Sequence, residues 1–212
     1  MKPLIICING PRHSGKDTLA LALRMQWLAQ GGHATDVKFA TPIEAAVAAM
    51  LPGKMSEDFT RARHDPIAKT QHSTIYAGSP SAVELLIGLS ELFAKPVMDD
   101  DIFGIIAAHH VKSLRKRERM LITVSDCGFQ AEYNAFVGEL LNEADVWLVQ
   151  LYRDGYEFGA GDSRHRVQYN GKEAGALSVI NGLGTEDLVH RAADIIAYIA
   201  KCTAEKEQTN PA

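Results

Sequence analysis

The sequence predicts an α/β fold of three layers, a P-loop-type domain whose mostly parallel five-stranded sheet carries helices on both faces. Three observations predict it. Short apolar runs with buried-strand character recur at Leu4–Ile8, Val37–Ala40, Leu121–Val124, Val146–Leu151 and Leu177–Ile180. Segments with apolar residues at helical spacing separate them, and strand alternating with helix argues for parallel strands joined by helical crossovers. The first run breaks at Asn9-Gly10 into a glycine-bearing turn that leads straight into a helix. At 212 residues the chain suits a single domain, residues 1–202, with inserted segments at 52–78 on the acceptor side and 152–172 as a lid, and a disordered tail over 203–212.

Residues 4 to 18 read LIICINGPRHSGKDT, with Gly10, Gly15 and Lys16 at the spacing of a phosphate-binding loop. A triphosphate must be wrapped by backbone N–H groups, so glycine is needed where the chain curls closest. A helix starting near Gly15 points its unpaired N–H groups and positive dipole end at the β-phosphate, and Lys16 reaches the β and γ oxygens. Gly10, Pro11, Arg12, His13, Ser14, Gly15, Lys16, Asp17 and Thr18 are therefore the expected ATP-binding residues. Asp17 stands where a Ser or Thr hydroxyl is usual for magnesium. It is expected to hold Mg directly or through water, with Thr18 at the α-phosphate.

The remaining elements follow in order. The first helix ends at Gly31-Gly32, and after the Val37–Ala40 strand, Thr41-Pro42-Ile43-Glu44 reads as a capping box opening a helix through Leu51. Residues 52–78, polar and rich in Arg and His, read as a loop or small helical insertion. Ser79-Pro80 starts a helix, SAVELLIGLSELFAK, expected to stop before Pro96. Asp99, Asp100 and Asp101 suit the start of a helix that ends in the cationic run Lys112–Arg119, the order its dipole favours, so that run reads as a solvated helix end. A helix from about Gln130 to Leu141 and a last one from Glu186 to Ala200, capped by Thr185, complete the pattern.

In such sheets ligands gather beyond the carboxyl ends of the strands, where Asp126 and Arg153 lie. Asp126 is a candidate to organise magnesium through water or to accept a proton from an acceptor hydroxyl; its alternative is to cap the following turn. Arg153, Arg164 and Arg166 flank the glycine-rich lid and could close over phosphates, excluding water. Lys16, Asp126, Arg153 and Arg164 are the expected catalytic set. Glu132 reads as an exposed helix residue, and adjacent His109 and His110 cannot share one metal. The formal net charge of −4 provides no global attraction to a polyanion. The widely spaced Cys7, Cys127 and Cys202 suit neither a zinc site nor a disulfide framework, as expected of a reducing cytoplasm. The five-residue apolar run at the amino terminus leads directly into the phosphate loop, unlike a secretory leader, and no stretch is long enough to span a membrane.

On these residues the chain resembles the P-loop nucleoside monophosphate kinase superfamily, most closely the bacteriophage deoxynucleoside monophosphate kinases. The likeness is carried by RHSGKDT around Lys16, FATPIEAA from Phe39 to Ala46, Asp126 at a strand end, LYRDG through DSRHR as the lid, and the closing VINGLGTEDL. It implies an ATP–Mg donor site, with Asn181 in an adenine-side loop, a small-molecule nucleotide acceptor, and location in a cytoplasm, that of the host if phage-encoded. Such kinases place basic residues in two acceptor-side helices where this chain has Glu44 and SAVELLIGLSE. Arg61, Arg63 and Lys95, with Arg166 and Asp126, are left as acceptor-binding candidates. Similar phage kinases phosphorylate a hydroxymethylated pyrimidine within DNA, so DNA is the second acceptor, favoured if Lys112–Arg119 forms a basic face near the site. A nucleotide-binding module without catalysis is the reading from another class. The oligomeric state stays open, a dimer included.

Overall fold

The computed structural model describes residues 2–65, 67–73, 78, 80–114, 117–159, 162–182 and 184–209. Ser79, Arg115, Lys116 and the last three residues of the expected tail lie outside them. The five strands are β1 (Leu4–Asn9), β2 (His33–Asp36), β3 (Met120–Val124), β4 (Asp145–Tyr152) and β5 (Gly175–Ile180). They pair in the order β2-β3-β1-β4-β5, every pairing parallel, with Leu4 opposite both Leu121 and Asp145.

Because successive side chains of a strand point to opposite faces, the central strand feeds two cores. Ile5 and Cys7 of β1 pack with Ile122, Val124, Val146 and Leu148 beneath one helical layer. That layer comprises α2 (Thr41–Met50), α3 (Lys54–His64), α4 (Ala82–Leu89), α5 (Lys95–Met98), α6 (Ile102–Ser113) and α7 (Gln130–Leu140). Leu4, Ile6 and Ile8 face the other way, against α1 (Lys16–Ala29) and α8 (Thr185–Thr209). Each fully buried aliphatic side chain of β1 contributes roughly 1.5–3 kcal/mol, so the strand that launches the phosphate loop is also the most firmly seated.

Three local expectations are corrected before the last helix. The second strand is His33–Asp36, not Val37–Ala40. As an edge strand it carries half-exposed polar side chains, whereas Val37 and Phe39 are buried in the loop leading to α2, so apolarity there marks burial and not pairing. The Thr41–Glu44 capping box does not form: α2 begins at Thr41 with no side-chain cap, and Glu44 instead meets Arg63 Nη2 at 2.7 Å. The box forms two helices later, Ser81 with Glu84 at the start of α4. Pro96 does not stop its helix. Residues Ser90–Ala94 form a π-helical stretch in which Lys95 N–H bonds Ser90 O, and Pro96 then falls at the start of α5, where no N–H is required.

At the carboxyl terminus, α8 runs on to Thr209 where a disordered tail was expected from residue 203. Its buried stripe of Leu188, Ala192, Ile195, Ile196 and Ile199 sustains helical spacing, and Lys206 Nζ bonds Ala174 O at 2.6 Å. Thr185 is the first helical residue and not the cap, since Gly184 O already accepts from Leu188 N–H. Among the described residues no helix is long and apolar enough to cross a membrane.

The α6–α7 crossing depends on Gly104, where an added Cβ would run into the backbone of Glu132, while Gly138 on α7 faces open space. Gly104→Ala is therefore expected to lower unfolding free energy in urea by about 2 kcal/mol. Gly138→Ala should raise it by about 0.5–1 kcal/mol.

Candidate functional site: the phosphate loop and its mouth

Between β1 and α1 the chain curls through residues 10–15, and the curl leaves no room for side chains at its ends. A Cβ on Gly10 would sit 2.8 Å from Leu151 O, and one on Gly15, which has φ +101°, would sit 2.7 Å from Leu188 Cδ1. Neighbouring strand ends hold the curl in place. Asn181, buried beyond β5, donates from Nδ2 to Ser14 O at 2.9 Å and accepts Gly184 N–H at Oδ1. Arg153, beyond β4, donates to His13 O at 2.8 Å while its guanidinium stacks over Tyr156.

No side chain caps α1, so its first-turn N–H groups open toward the mouth of the loop without a partner of their own. The Ser14 hydroxyl, buried in the curl, also lacks a partner. Lys16 folds back with Nζ on Pro11 O at 2.5 Å. Burial, reinforced by the Arg164 guanidinium, pulls its ammonium from 10.5 down to about 8 against the opposing attraction of Asp17, Asp162 and Asp126. A lysine in this state is short of negative charge, which phosphate would supply.

Asp17 projects from the first turn of α1, its side chain 77% exposed, and meets two residues that sequence reasoning did not single out. Ser125 Oγ donates to Asp17 Oδ1 at 2.6 Å, and Lys38 Nζ lies 2.9 Å from the same oxygen and 3.3 Å from Ser125 Oγ. Burial favours the neutral acid, but the bonds from Ser125 and Lys38 outweigh it and hold Asp17 below its ordinary carboxylate value. The signal for Lys38 was an ammonium inside the apolar run Val37–Ala40, a misfit for a buried strand.

Asp126 lies where expected, beyond β3. Its Oδ1 accepts Phe39 N–H at 3.1 Å and its Oδ2 accepts Ala40 N–H at 2.9 Å, so it ties the end of β3 to the entry of α2. Burial pushes its carboxyl above the ordinary value despite these donors.

The segment after β4 lies across the strand ends. Asn9, fully buried, donates to Cys127 O at 2.8 Å and His165 O at 3.0 Å and accepts Val167 N–H at 3.2 Å. Arg164 crosses Gly128, where a Cβ would meet its side chain at 2.7 Å, and grips Asp162 through two bonds of 2.6 and 2.8 Å. Asp162 also lies 3.6 Å from Arg12, so one carboxylate bridges the segment to the phosphate loop. Arg166 donates to Leu151 O and stacks over Tyr152.

The structure thus brings Lys16, Asp17, Asp126 and Arg164 to one mouth, with Arg12 and Arg153 on its rim. Arg61, Arg63 and Lys95 are engaged with carboxylates of the chain's own. Arg61 is near Asp58, and Arg63 pairs with Glu44. Lys95, only 5% exposed, lies 2.8 Å from Glu91, 3.2 Å from Glu132 and over the Phe129 ring. Glu132, expected on the surface, is buried because the α6–α7 contact encloses it. Burial raises its carboxyl from 4.5 to about 7 despite Lys95, since Glu91 shares that ammonium. Of the run Lys112–Arg119, Lys112 bonds Glu139 and Arg119, just before the amino-terminal end of β3 and so opposite the mouth, bonds Gln30 O.

Sheet order and phosphate loop together define a three-layer P-loop α/β fold. The APS kinase CysC of Mycobacterium tuberculosis is similar in structure. In complex with AMPPNP and APS it matches with TM-score 0.50 at 12% identity, covering 94% of this chain and 98% of that one. Its Cys556Ala mutant matches with TM-score 0.47, at the same identity and coverage. At 12% identity the likeness to the AMPPNP complex establishes the fold alone. No family model matches the chain, and no curated protein matches it in sequence.

The Glu132 shift has a defined sign. A raised carboxyl stabilises the fold fully below its unfolded value of 4.5, and that advantage is lost as pH rises through about 7. Relative to Glu132→Gln, the unaltered protein is expected to lose roughly 3 kcal/mol between pH 4.5 and 8. Urea unfolding at several pH values measures it.

Proposed function

We propose that this chain is a magnesium-dependent kinase that transfers the γ-phosphoryl group of ATP to a deoxynucleoside monophosphate. The observation that carries this reading is the mouth of the phosphate loop. There an uncapped helix start, a curl closed to side chains, and a Lys16 depressed to about 8 beside Arg164 together call for a polyanion. The fold shared with a kinase and the motifs around Lys16 support ATP as that polyanion.

Phosphoryl transfer needs positioning and positive charge more than covalent work by the protein. The loop N–H groups and Lys16 hold the β and γ phosphates, while Arg164 and Arg153 supply charge at the rim. A phosphate oxygen of the acceptor forms a bond to the γ-phosphorus as the bond from that phosphorus to the β–γ bridging oxygen breaks. The electron pair stays on ADP, and the acceptor leaves as the diphosphate. An acceptor phosphate oxygen needs no base, which leaves Asp126 to hold the entry of α2 in place.

The donor set fits magnesium. Asp17 and the Ser125 hydroxyl place two hard oxygens 2.6 Å apart at the mouth, matching an ion that takes few protein ligands beside phosphate and water. Asp126, both of whose oxygens serve backbone N–H groups, would contribute through water. When bound, magnesium would supply neutralisation of the phosphate charge.

The test is transfer of label from γ-labelled ATP with Mg to the four dNMPs, to hydroxymethyluracil-containing DNA and to water. Label on one dNMP is expected, falling about 100-fold or more in Lys16→Ala. Label on the DNA alone would transfer the assignment to a base hydroxyl, and release of phosphate alone would make the chain an NTPase. No label above the Lys16→Ala background would leave a nucleotide-binding module.

A further inference from the structure

We propose that Lys38 is the acceptor-side phosphate contact of this site, stored on Asp17 until nucleotide binds. The inference rests on the kinase reading above and assigns to its acceptor side a cation that helix packing does not hold.

The first support is position. Lys38 lies two residues beyond β2, between β2 and α2, and meets Asp17 of α1 and Ser125 beyond β3 at a single point. It therefore stands between the phosphate loop and the elements on the β2–β3 side of the mouth. Asp126, the residue after Ser125, holds the same loop by its Phe39 and Ala40 N–H groups. The base of the Lys38 side chain is thereby fixed, while its ammonium remains on a flexible four-carbon stem with three donors.

The second support is the state of the other cations on that side. Arg63 is engaged with Glu44 at 2.7 Å, and Arg61 lies on the outer part of α3 with Asp58. Lys95 is buried between two carboxylates and an aromatic ring, so freeing it would strand buried charge. Lys38 differs. It is 34% exposed and its partner Asp17 is 77% exposed, and pairs open to water hold weakly and exchange readily.

The third support is the identity of the partner. Asp17 is the carboxylate best placed to meet magnesium carried by a nucleotide, and the Lys38 ammonium occupies one of its oxygens at 2.9 Å. Two cations on that carboxylate repel each other, so Lys38 competes with magnesium for it. Once displaced, Lys38 leaves Asp17 and Ser125 to the ion and becomes an unpaired cation on the acceptor side of the loop. Donor and acceptor binding are then linked through one side chain, and the linkage is reciprocal.

The test is calorimetry on the full chain, unaltered and as Lys38→Met and Lys38→Arg. Mg is titrated into the protein–AMPPNP mixture, and each of the four dNMPs is titrated with and without AMPPNP–Mg. In the unaltered protein one dNMP is expected to bind at least five-fold tighter when AMPPNP–Mg is present. Lys38→Met should lose that gain to within two-fold and bind Mg several-fold more tightly, while Lys38→Arg should retain the gain. Thermal unfolding of each variant checks that it is folded. Retained coupling in Lys38→Met, or an unchanged Mg affinity, overturns the assignment. An unaltered protein that binds AMPPNP–Mg but shows no coupling to any dNMP overturns it alone, whereas failure to bind AMPPNP at all overturns the kinase reading with it.

Discussion

The backbone of residues 10–15 cannot move independently of the sheet, and the rest of the site depends on that constraint. Gly10 presses on the Leu151 carbonyl, Gly15 presses on Leu188 and Asn181, and the carbonyls of His13 and Ser14 are held by Arg153 and Asn181. Four strand ends therefore converge on one curl, counting β1 that launches it and β3 through Asn9 and Cys127. A loop built this way is already shaped, so under the proposed function little ordering cost would remain when phosphate enters. The amide of Asn9, buried under the curl and shared among Cys127, His165 and Val167, extends the same rigidity to the segment crossing the strand ends.

Onto this rigid frame the chain hangs opposed charges on movable stems. Lys16, Lys38, Arg12 and Arg164 face Asp17, Asp126 and Asp162 across a few ångströms, each cation but Lys16 resting on a carboxylate of the chain's own. Such internal pairing keeps an empty site from accumulating net charge. Under the proposed function a triphosphate and its metal would enter by exchange, with anionic oxygens taking over guanidinium and ammonium groups that Asp162 and Asp17 hold. Lys16, with a carbonyl as its hydrogen-bond acceptor and burial working against its charge, is the group left most in need of the ligand.

The helical layer over Ile5 and Cys7 follows different physics. Glu44, Arg63, Lys95, Glu91 and Glu132 form pairs that hold helices together, and the π-helical stretch before Pro96 brings Lys95 inward where a regular helix would have ended. Charges that looked available in the sequence are thus committed to packing. Before β3, Lys112 and Arg119 are likewise engaged, with Glu139 and Gln30 O.

The phosphate loop, the number of strands and their alternation with helices were legible in the sequence by itself. Each is a local property: glycine spacing, an apolar run and a helical period are written in consecutive residues and need no distant partner. Only the tertiary structure decided what each charge does. Lys38 meets Asp17 across 21 positions, Ser125 meets Asp17 across 108, and Asp126 reaches Phe39 across 87. The edge strand β2 was missed because its pairing with β3 uses backbone groups, which leave no apolar signature. Glu132 was misplaced because its burial comes from α6 packing over it, with no trace in its own helix. Periodicity records which side of an element is dry, whereas the partner of a polar side chain is set by where the chain returns in space.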